Sequence, residues 1–472
     1  MHWTPDQILQ ATGGRLLYGP SGAGFNGVGI DSRTIGRDQL FVAIRGETHD
    51  GHTFTAQVIQ MGVKGVVIEQ GTTVAQDHEA WRAQGVTCIA VDNTVKALGA
   101  LARFQRGQAH IPVVAITGSN GKTSTRQMTS LVMAQRFNTL STHGNFNNEI
   151  GLPLTLFQLT PEHQAAVLEL GMNHHGEITR LGAICRPTIG VITNVGPAHL
   201  EFLGSLEGVA QAKGELMAQV DPKGTVVLNR DNPHVAALAA KTERRVFFFG
   251  LSPQAMVRAE KIAETGDGVA FELVLPGDRV PVALHTPGRF MVLNALAAAA
   301  VGHLSGVSGS QIKAGLEAFA PTKGRLQVLG TAKGIQIIDD TYNANPSSMA
   351  VAFETLKALR KTAPAVIVLG DMRELGPQAE ALHREVGQKA AQAGPDRLYA
   401  YGPNSQAVVQ GARGAGMRAE QLLAGSKEEI AQDLISRLEP GTWVLVKGSR
   451  GMTMETVVKA IREWADGDSS NR

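Results

Sequence analysis

The sequence has only two cysteines among 472 residues and almost no imbalance of charge. Cys88 and Cys185 are far apart and outside any C-x-x-C pattern, which argues against a disulfide framework or a zinc knuckle and predicts reduced, buried thiols. The 44 Lys and Arg nearly cancel the 42 Asp and Glu, leaving a formal net charge of +2. This balance gives no general reason to bind a polyanion, so nucleic acid is not expected as a partner.

Long hydrophobic runs are also missing. No basic segment leads into an apolar run near residue 1, so a secretory signal is not expected. The most apolar later stretch, residues 293–304, is rich in alanine and shorter than the about 20 helical residues that cross a bilayer. We therefore interpret residues 293–304 as a packed helix and expect a cytoplasmic protein with no membrane span.

The length and composition indicate several globular domains. At roughly 150 residues per domain, 472 residues predict about three. Apolar residues make up 43% and charged residues 18% of the chain, a balance typical of globular proteins.

Short β-branched runs alternate with helix-length segments, which predicts α/β domains with right-handed crossovers and mostly parallel sheets. The predicted strands are 65–68, 88–91, 111–116, 166–169, 189–192, 225–228, 335–338, 365–369 and 443–446. Breaks in this pattern predict a small N-terminal α/β domain (1–95), a central domain (96–320) and a C-terminal α/β domain (321–472).

A glycine loop for phosphate follows the strand 111–116 and precedes a predicted helix. Backbone N–H groups of such a loop surround phosphate oxygens, its lysine reaches the β and γ phosphates, and its threonine can bind Mg²⁺. The spacing is shorter than the standard phosphate loop, and a Gly-Lys-Thr tripeptide by itself can arise by chance. The strand and helix on either side favour nucleotide binding by Gly118, Ser119, Asn120, Gly121, Lys122, Thr123 and Ser124.

The short loop resembles that of the Mur ligase and folylpolyglutamate synthetase superfamily. Residues 142–153, 169–178 and 339–349 resemble the branch of that family that joins D-alanyl-D-alanine to UDP-N-acetylmuramoyl-tripeptide. The resemblance continues through residues 31–33, 40–43, 370–376 and 446–452, so it covers nearly the whole chain. It implies an ATP-dependent ligase with a UDP-substrate domain, a central phosphate-loop ATPase domain, and a Rossmann-like C-terminal domain for the incoming dipeptide.

The resemblance also implies a role for particular residues. The catalytic residues would be Lys122, Lys213, His199 and Arg325. Asn294, Arg325 and Asp340 would join the loop in binding ATP. Two Mg²⁺ ions would be held by Thr123, Glu169, His199 and Lys213, the last as a carbamate formed with CO₂.

For the other two substrates the resemblance points to a second group of residues. The UDP-muramoyl substrate would contact Ser32, Arg33, Asn145 and Asn147. The dipeptide would contact Asn343, Asn345, Lys447 and Ser449. We expect both partners to be small molecules and the protein to be a monomer.

Each of these residues also has an ordinary structural interpretation. Glu169 could form a salt bridge, His199 could be a core histidine, and Lys213 could lie on a helix surface. Arg325 and Asp340 could belong to surface ion pairs, Asn294 to a plain helix, the other asparagines to turns, and Ser32 to a β-turn. Lys213 in particular could act as a carbamate only if its pKa were lowered, because CO₂ adds to a neutral amine.

One stretch departs from the family pattern. The family usually has Gly-Arg-His-Asn ahead of Asn-Ala-Leu-Ala-Ala, whereas this chain has Phe290 and Met291 in place of the His and Asn. Two alternative functions also stay open: another ligase of the same superfamily, and a nucleotide-switched regulatory protein. The stretch 339–346 weighs against the first, and the shortened loop weighs against the second.

Overall fold

Three large β-sheets, each covered by helices, organise the chain in the computed structural model, which describes residues 1–46, 48–72, 78–265 and 268–467. The small gaps between these ranges, and residues 468–472 of the predicted C-terminal domain, lie outside the described residues. The α/β fold predicted from the sequence is confirmed.

The N-terminal sheet has the strand order β2-β7-β6-β5-β4, with β4 to β7 parallel and β2 antiparallel to β7. β1 pairs with β3 beside it. The strands are β1 (His2–Trp3), β2 (Arg15–Tyr18), β3 (Phe25–Asn26), β4 (Val28–Gly29), β5 (Leu40–Val42), β6 (Gly65–Glu69) and β7 (Thr87–Val91). The helices are α1 (Pro5–Thr12), α2 (Thr55–Gln60), α3 (His78–Ala83) and α4 (Thr94–Gly107), with a 3-10 turn at Gly51–Phe54.

Helix α4 makes contacts with both of the first two domains. Its buried Leu98 and Leu101 pack into the N-terminal core, in the same cluster as Trp3. Further along the helix, Gln105 donates hydrogen bonds to two carbonyl oxygens of the central domain, and Arg106 Nε donates to Cys185 O at 2.9 Å. The predicted boundary at residue 95 therefore falls in the first turn of a shared helix.

The central sheet has the order β16-β15-β14-β13-β12-β11-β8-β10-β9 within the described residues. Its strands are β8 (Val113–Thr117), β9 (Thr139–Ser141), β10 (Ala165–Glu169), β11 (Ile189–Ile192), β12 (Thr225–Asn229), β13 (Arg245–Gly250), β14 (Val257–Glu264), β15 (Val269–Leu275) and β16 (Asp278–Leu284). Its helices are α5 (Lys122–Ala134), α6 (Gly151–Leu156), α7 (Glu177–Cys185), α8 (Leu200–Leu203), α9 (Leu206–Gln219), α10 (Pro233–Leu238), α11 (Phe290–Leu304) and α12 (Gly309–Glu317), with a 3-10 turn at Ala239–Lys241.

Burial on both faces explains the apolar character of β8. Val114 and Ile116 pack on one face, in the same core cluster as the alanines of α11. Val113 and Ala115 point to the other face and join the cluster that contains residues of α7 and α9. A parallel strand covered on both sides has no polar face, so it appears in the sequence as a continuous hydrophobic run. Helix α11 is buried along most of its length, which confirms the interpretation of residues 293–304.

Strands β13 to β16 extend the central sheet beyond the strands predicted from the sequence. β13 and β14 continue the parallel order, whereas β15 and β16 add antiparallel strands. Along β15, the first five residues alternate between buried and partly buried. This alternation is the usual signal of a strand with one covered face, and it was present in the sequence.

The C-terminal sheet has the order β17-β18-β22-β19-β20-β21, parallel except for β17. Its strands are β17 (Gln327–Gly330), β18 (Gln336–Asp340), β19 (Ala365–Gly370), β20 (Arg397–Tyr401), β21 (Leu422–Ala424) and β22 (Trp443–Lys447). Its helices are α13 (Pro346–Arg360), α14 (Ala379–Gln392), α15 (Ser405–Gly414), α16 (Lys427–Ile435) and α17 (Glu455–Asp466), with 3-10 turns at Gly376–Gln378, Ala419–Gln421 and Arg450–Met452.

The two cysteines are buried free thiols, as predicted. Burial raises the pKa of Cys88 to about 11 and that of Cys185 to about 12. In the described ranges, every helix is too short or too polar to cross a bilayer.

Helices α14 and α15 pack so closely that a glycine is required between them. A Cβ on Gly411 would overlap the carbonyl oxygen of Arg384, whereas a Cβ on Gly414 of the same helix would meet open space. We expect Gly411→Ala to destabilise the protein by about 1–3 kcal/mol through overpacking. Gly414→Ala is the matched control and should leave the thermal unfolding midpoint unchanged or slightly raised. Equal midpoints for the two variants would contradict this packing.

Candidate functional site

A cavity of about 800 Å³ lies between the central and C-terminal domains. It opens at the carboxyl ends of β8, β10 and β11, where parallel sheets of this kind usually bind ligands. The predicted residues that line it are Ser119, Asn120, Gly121, Lys122, Thr123, Ser124, Asn147, Glu169, His199, Asn294, Arg325, Asp340, Asn343, Asn345 and Lys447.

Two glycines allow the phosphate loop to form. Gly118 has φ 154° and Gly121 has φ 78°, both outside the range that other residues adopt readily. A Cβ on Gly118 would overlap the hydroxyl of Thr193, and a Cβ on Gly121 would overlap the side-chain oxygen of Asn294. Because Gly121 is the N-cap of α5, the free N–H groups of that helix face the cavity.

Residues that follow β11 hold the loop in shape. Asn194 accepts hydrogen bonds from Ser119 N at 3.0 Å and, through Oδ1, from Asn120 N at 2.8 Å. The Thr193 hydroxyl donates to Asn120 O at 2.7 Å. Thr193 and Asn194 were not among the predicted site residues, although their position just after a buried parallel strand could have indicated them.

Lys122 lies across the loop. Its Nζ donates to the carbonyl oxygen of Gly118 at 2.8 Å, inside the space that the loop encloses. Desolvation lowers the pKa of Lys122, although the nearby Glu169 carboxylate opposes the shift. An anion in the loop would therefore meet a partly desolvated cation whose present partner is a neutral carbonyl group.

Glu169 is the acidic centre of the cavity. It is 2% exposed and ends β10. Its Oε2 accepts from the Thr123 hydroxyl at 2.9 Å and lies 3.7 Å from Arg126 Nε, while its Oε1 accepts from Asn147 Nδ2 at 2.9 Å. A buried carboxylate beside a hydroxyl is the oxygen donor set that a hard cation such as Mg²⁺ prefers. Arg126 was missed by the sequence reasoning because it lies within α5, beyond the loop.

Lys213 is buried, which overturns its interpretation as a surface lysine. It is 1% exposed on α9, and it has no ion-pair partner among the described residues. Burial, together with the cation of Lys122, lowers the pKa of Lys213 well below its usual value. Lys213 does not itself line the cavity, but the lowered pKa favours the neutral amine that carbamate formation requires.

His199 connects the two domains. It follows β11 and lines the cavity, and its Nδ1 lies 2.6 Å from Glu374 Oε2 of the C-terminal domain. Burial lowers the pKa of His199, an effect that the hydrogen bond to Glu374 opposes. In the part of the chain that the structure describes, no three His, Cys, Asp or Glu side chains cluster as a ready metal site. A cation in the cavity would have the oxygens of Thr123 and Glu169 as its main protein ligands.

Arg325 and Asp340 face the cavity from the C-terminal domain. The Arg325 guanidinium lies over the ring of Tyr342, 4.0 Å from its centroid. Asp340 forms an ion pair with Lys447 at 2.6 Å, and both residues are buried. Lys447 also donates to Asn343 O at 2.8 Å. The sequence predicted that Asp340 and Lys447 bind two different ligands, whereas the structure joins them in one buried ion pair. The alternative considered for Asp340 was an ion pair at the surface.

Asn345 and Ser449 have structural partners. Asn345 is the N-cap of α13, accepting from Ser348 N at 2.9 Å, and its Nδ2 donates to Asn120 Oδ1 of the phosphate loop at 2.8 Å. Ser449 is buried outside the cavity lining, and its hydroxyl accepts from Arg373 N at 2.9 Å. Asn345 therefore connects the C-terminal domain directly to the loop.

Like Ser449, three of the residues predicted to contact the UDP-muramoyl substrate lie outside the cavity lining. Ser32 and Arg33 belong to a turn in which Asp31 Oδ1 accepts from Arg33 N at 3.0 Å. The exposed Arg33 side chain forms a two-pronged ion pair with Asp31 at 2.9 and 2.7 Å. Asn145 is exposed on the loop that precedes Asn147.

The residues that depart from the family pattern lie beside Asn294. Phe290 and Met291 both line the cavity at the start of α11. Asn294 Nδ2 is 3.5 Å from Met291 Sδ, and Asn294 Oδ1 accepts from the Thr125 hydroxyl at 3.2 Å. Asn294 is thus held against the first turns of α5, next to the phosphate loop.

Comparison with known families matches three successive models to this chain. They are the Mur ligase family catalytic domain over residues 24–106, the Mur ligase middle domain over 116–302, and the Mur ligase glutamate ligase domain over 324–450. Together they cover most of the sequence.

Individual relatives are similar along nearly the whole length. The UDP-N-acetylmuramoyl-tripeptide--D-alanyl-D-alanine ligase of Escherichia coli is 38% identical, over 92% of this chain and 93% of its own. The crystal structure of MurF from Acinetobacter baumannii has a TM-score of 0.89 at 33% identity, covering 98% and 99% of the two chains. MurF from Thermotoga maritima, solved in complex with ADP, has a TM-score of 0.81 at 27% identity, covering 93% and 98%. On this evidence the chain belongs to the Mur ligase family.

Proposed function

We propose that the protein is the ATP-dependent ligase that joins D-alanyl-D-alanine to UDP-N-acetylmuramoyl-tripeptide, a step of peptidoglycan synthesis. The observation that carries this proposal is the cavity in which a phosphate loop, a buried carboxylate and an arginine from a second domain meet. The relatives that bear this activity in their names match over more than nine-tenths of the chain. We place the reaction in the cytoplasm and propose that the protein acts as a monomer.

The reaction requires activation of a carboxylate. An amine cannot displace oxide from a carboxylate, so the terminal carboxylate of the tripeptide first attacks the γ-phosphorus of ATP, giving an acyl phosphate and ADP. The amine of D-alanyl-D-alanine then attacks the acyl carbon, and phosphate leaves as the amine loses a proton. Phosphoryl transfer depends on positioning and charge stabilisation more than on covalent help from the protein.

The positions of Lys122 and Arg325 suit those needs. Lys122 lies within the phosphate loop of the central domain, and Arg325 faces it from the C-terminal domain. Both residues line the same cavity, so one bound phosphate group could contact both cations. Asn294, Asp340 and the rest of the loop are the proposed contacts for the nucleoside.

The Glu169 carboxylate and the Thr123 hydroxyl would hold Mg²⁺. His199 and a carbamate on Lys213 would be further ligands. The adjacent oxygens of Glu169 and Thr123 support this fit. Bound Mg²⁺ would neutralise phosphate charge during transfer. The burial of Lys213 and its lowered pKa support the carbamate, whose negative charge would replace a cation that Lys122 disfavours.

The two acceptors would approach from opposite sides of the nucleotide. Asn147, which bonds Glu169, would meet the UDP-muramoyl substrate, while Ser32, Arg33 and Asn145 would contact its more distant parts. Asn343 and Asn345, with Lys447 and Ser449, would surround the dipeptide from the C-terminal domain. Arg33 would have to exchange its present ion pair with Asp31 for the substrate diphosphate, which is feasible because that pair is exposed.

Release of ADP tests the reaction. A ligase needs both UDP-N-acetylmuramoyl-tripeptide and D-alanyl-D-alanine for sustained ADP release, and it forms the corresponding pentapeptide. Sustained release that is independent of both acceptors would instead indicate a nucleotide switch. Activity with a different amino-acid acceptor alone would indicate another ligase of the family.

We expect Lys122→Ala to lower the rate of ligation by on the order of 10²–10³-fold, because the cation on the transferring phosphate is lost. Single-turnover formation of ADP measures this effect. Lys223→Ala, which removes an exposed lysine of the same domain, is the control and should react normally. Wild-type rates in a folded Lys122→Ala protein would refute the role of the loop.

Lys213 should carry a carbamate in the wild-type protein. Carbon-13 NMR with labelled bicarbonate should show a carbamate signal that is absent from Lys213→Ala. Since the pKa of Lys213 is lowered, the amine is neutral above that pKa, and the signal should disappear as pH falls through it. The same variant should be nearly inactive and partly rescued by short carboxylic acids. Full activity without rescue would show that Lys213 is structural.

Arg325 should couple nucleotide binding to contact between the domains. Small-angle scattering should show compaction of the wild type on adding a non-hydrolysable ATP analogue with the UDP substrate. Arg325→Ala should compact less and react on the order of 10²-fold more slowly, with little change in affinity for the UDP substrate. Lys323→Ala, two residues away and exposed, is the control. An equal loss of UDP-substrate affinity and rate would place Arg325 in a different pocket.

A further inference from the structure

Glu374 contacts the central domain at two points. Its carboxylate Oε2 lies 2.6 Å from His199 Nδ1, and its carbonyl oxygen accepts a hydrogen bond from Glu201 N at 3.2 Å. Glu374 lies in the loop between β19 and the 3-10 turn at Gly376–Gln378. One residue of the C-terminal domain therefore holds both the ring and the following backbone of a cavity residue in the central domain.

The backbone at both ends of this contact is strained. His199 has φ 57° and Glu374 has φ 63°, in the left-handed region that residues other than glycine adopt rarely. Such conformations persist only where the surrounding structure holds them, and they are concentrated at functional sites. His199 and Glu374 both have such a conformation and are hydrogen-bonded to each other across the domain boundary. This combination indicates that the contact has a functional role in addition to packing.

Three side chains brace the loop that carries Glu374. His383 Nε2 accepts from Met372 N at 2.9 Å, and the Ser449 hydroxyl accepts from Arg373 N at 2.9 Å. Asp371, at the start of the loop, accepts from Asn404 Nδ2 at 2.7 Å. These bonds hold the backbone just before Glu374, so they restrict where its carboxylate can lie relative to His199.

The contact determines which ring nitrogen of His199 is available. A carboxylate can only accept a hydrogen bond, so of the two neutral tautomers of the ring it selects the one with the proton on Nδ1. No hydrogen bond to Nε2 is found within the described ranges. Nε2 is then the ring nitrogen left to contact a ligand, on a residue that lines the cavity with Lys122 and Glu169. Carboxylates that orient histidines in this way are known to tune the histidine's ability to bind a ligand.

We propose that Glu374 is a positioning residue of the ligase, which orients His199 only while the C-terminal domain rests on the central domain. The site on the central domain is thus completed by Glu374 of the C-terminal domain. When the two domains separate, the ring of His199 is free to rotate. This inference rests on the proposed function, because it gives His199 a part in the reaction.

The tautomer of His199 tests the contact without any ligand. We would record ring nitrogen spectra of protein labelled with nitrogen-15 histidine and assign His199 from its loss in His199→Gln. The wild type should show the Nδ1-protonated pattern. Glu374→Ala should lose it, and Glu374→Gln should keep it, because the amide oxygen can still accept the hydrogen bond. Glu380→Ala, which removes an exposed carboxylate of the same domain, should match the wild type.

Kinetics then test the effect on the reaction. Glu374→Ala should lower kcat by about 10–100-fold, as loss of such an orienting partner usually does, while KM for the UDP substrate changes little. Glu374→Gln should recover most of the rate. A folded Glu374→Ala protein with a wild-type ring pattern or a wild-type kcat would overturn the proposal, as would a Gln variant indistinguishable from Ala. A wild type with the expected ring pattern but no ligation would instead overturn the proposed function.

Discussion

The hydrogen bonds between the phosphate loop and the residues that follow β11 are the contacts on which the rest of the site depends. The loop leaves β8, and the adjacent strand β11 delivers Thr193 and Asn194 to the same edge of the sheet. Their side chains satisfy the backbone of Asn120 from both sides, donating to its carbonyl oxygen and accepting from its N–H. The loop is thereby shaped before any nucleotide arrives, so binding need not supply the free energy of ordering it.

The same strand edge explains why the site needs two domains. The central sheet supplies groups for one side of a nucleotide only, since the strands that carry the site, β8, β10 and β11, all end at one surface. The C-terminal domain adds Arg325, stacked on Tyr342, and reaches the loop itself through Asn345. These cross-domain contacts are polar, and interfaces of that kind inside one chain are commonly mobile. A site assembled from such contacts can exclude water when closed and release product when open.

Much of the fold could be predicted from the sequence, and the reasons for the omissions are physical. Buried parallel strands such as β8 are continuous apolar runs, so they were found within two residues. Strands β15 and β16 were not predicted because they have an alternating pattern in place of the continuous apolar run, and because no motif follows them. In the site, the glycine loop could be recognised from local spacing. The pairing of Asp340 with Lys447, and of His199 with Glu374, joins residues more than 100 positions apart, and no local pattern reports such contacts.

The charge balance of the cavity bears on why a carbamate would suit it. Lys122, Arg126 and Arg325 lie near the buried carboxylate of Glu169, and Arg325 acts electrostatically on both of the other cations. The other buried carboxylate that lines the cavity, Asp340, is already paired with Lys447. This excess of positive charge is unfavourable without a ligand, and it is the arrangement that a triphosphate and an acyl phosphate require. A protonated Lys213 would add a fourth cation with no ion-pair partner in the described part of the chain, and burial disfavours that form by lowering the pKa of the amine. Conversion of its neutral amine to a carbamate would supply a second anionic group in addition to Glu169. Two metal ions would then have anionic ligands from the protein as well as from the phosphates.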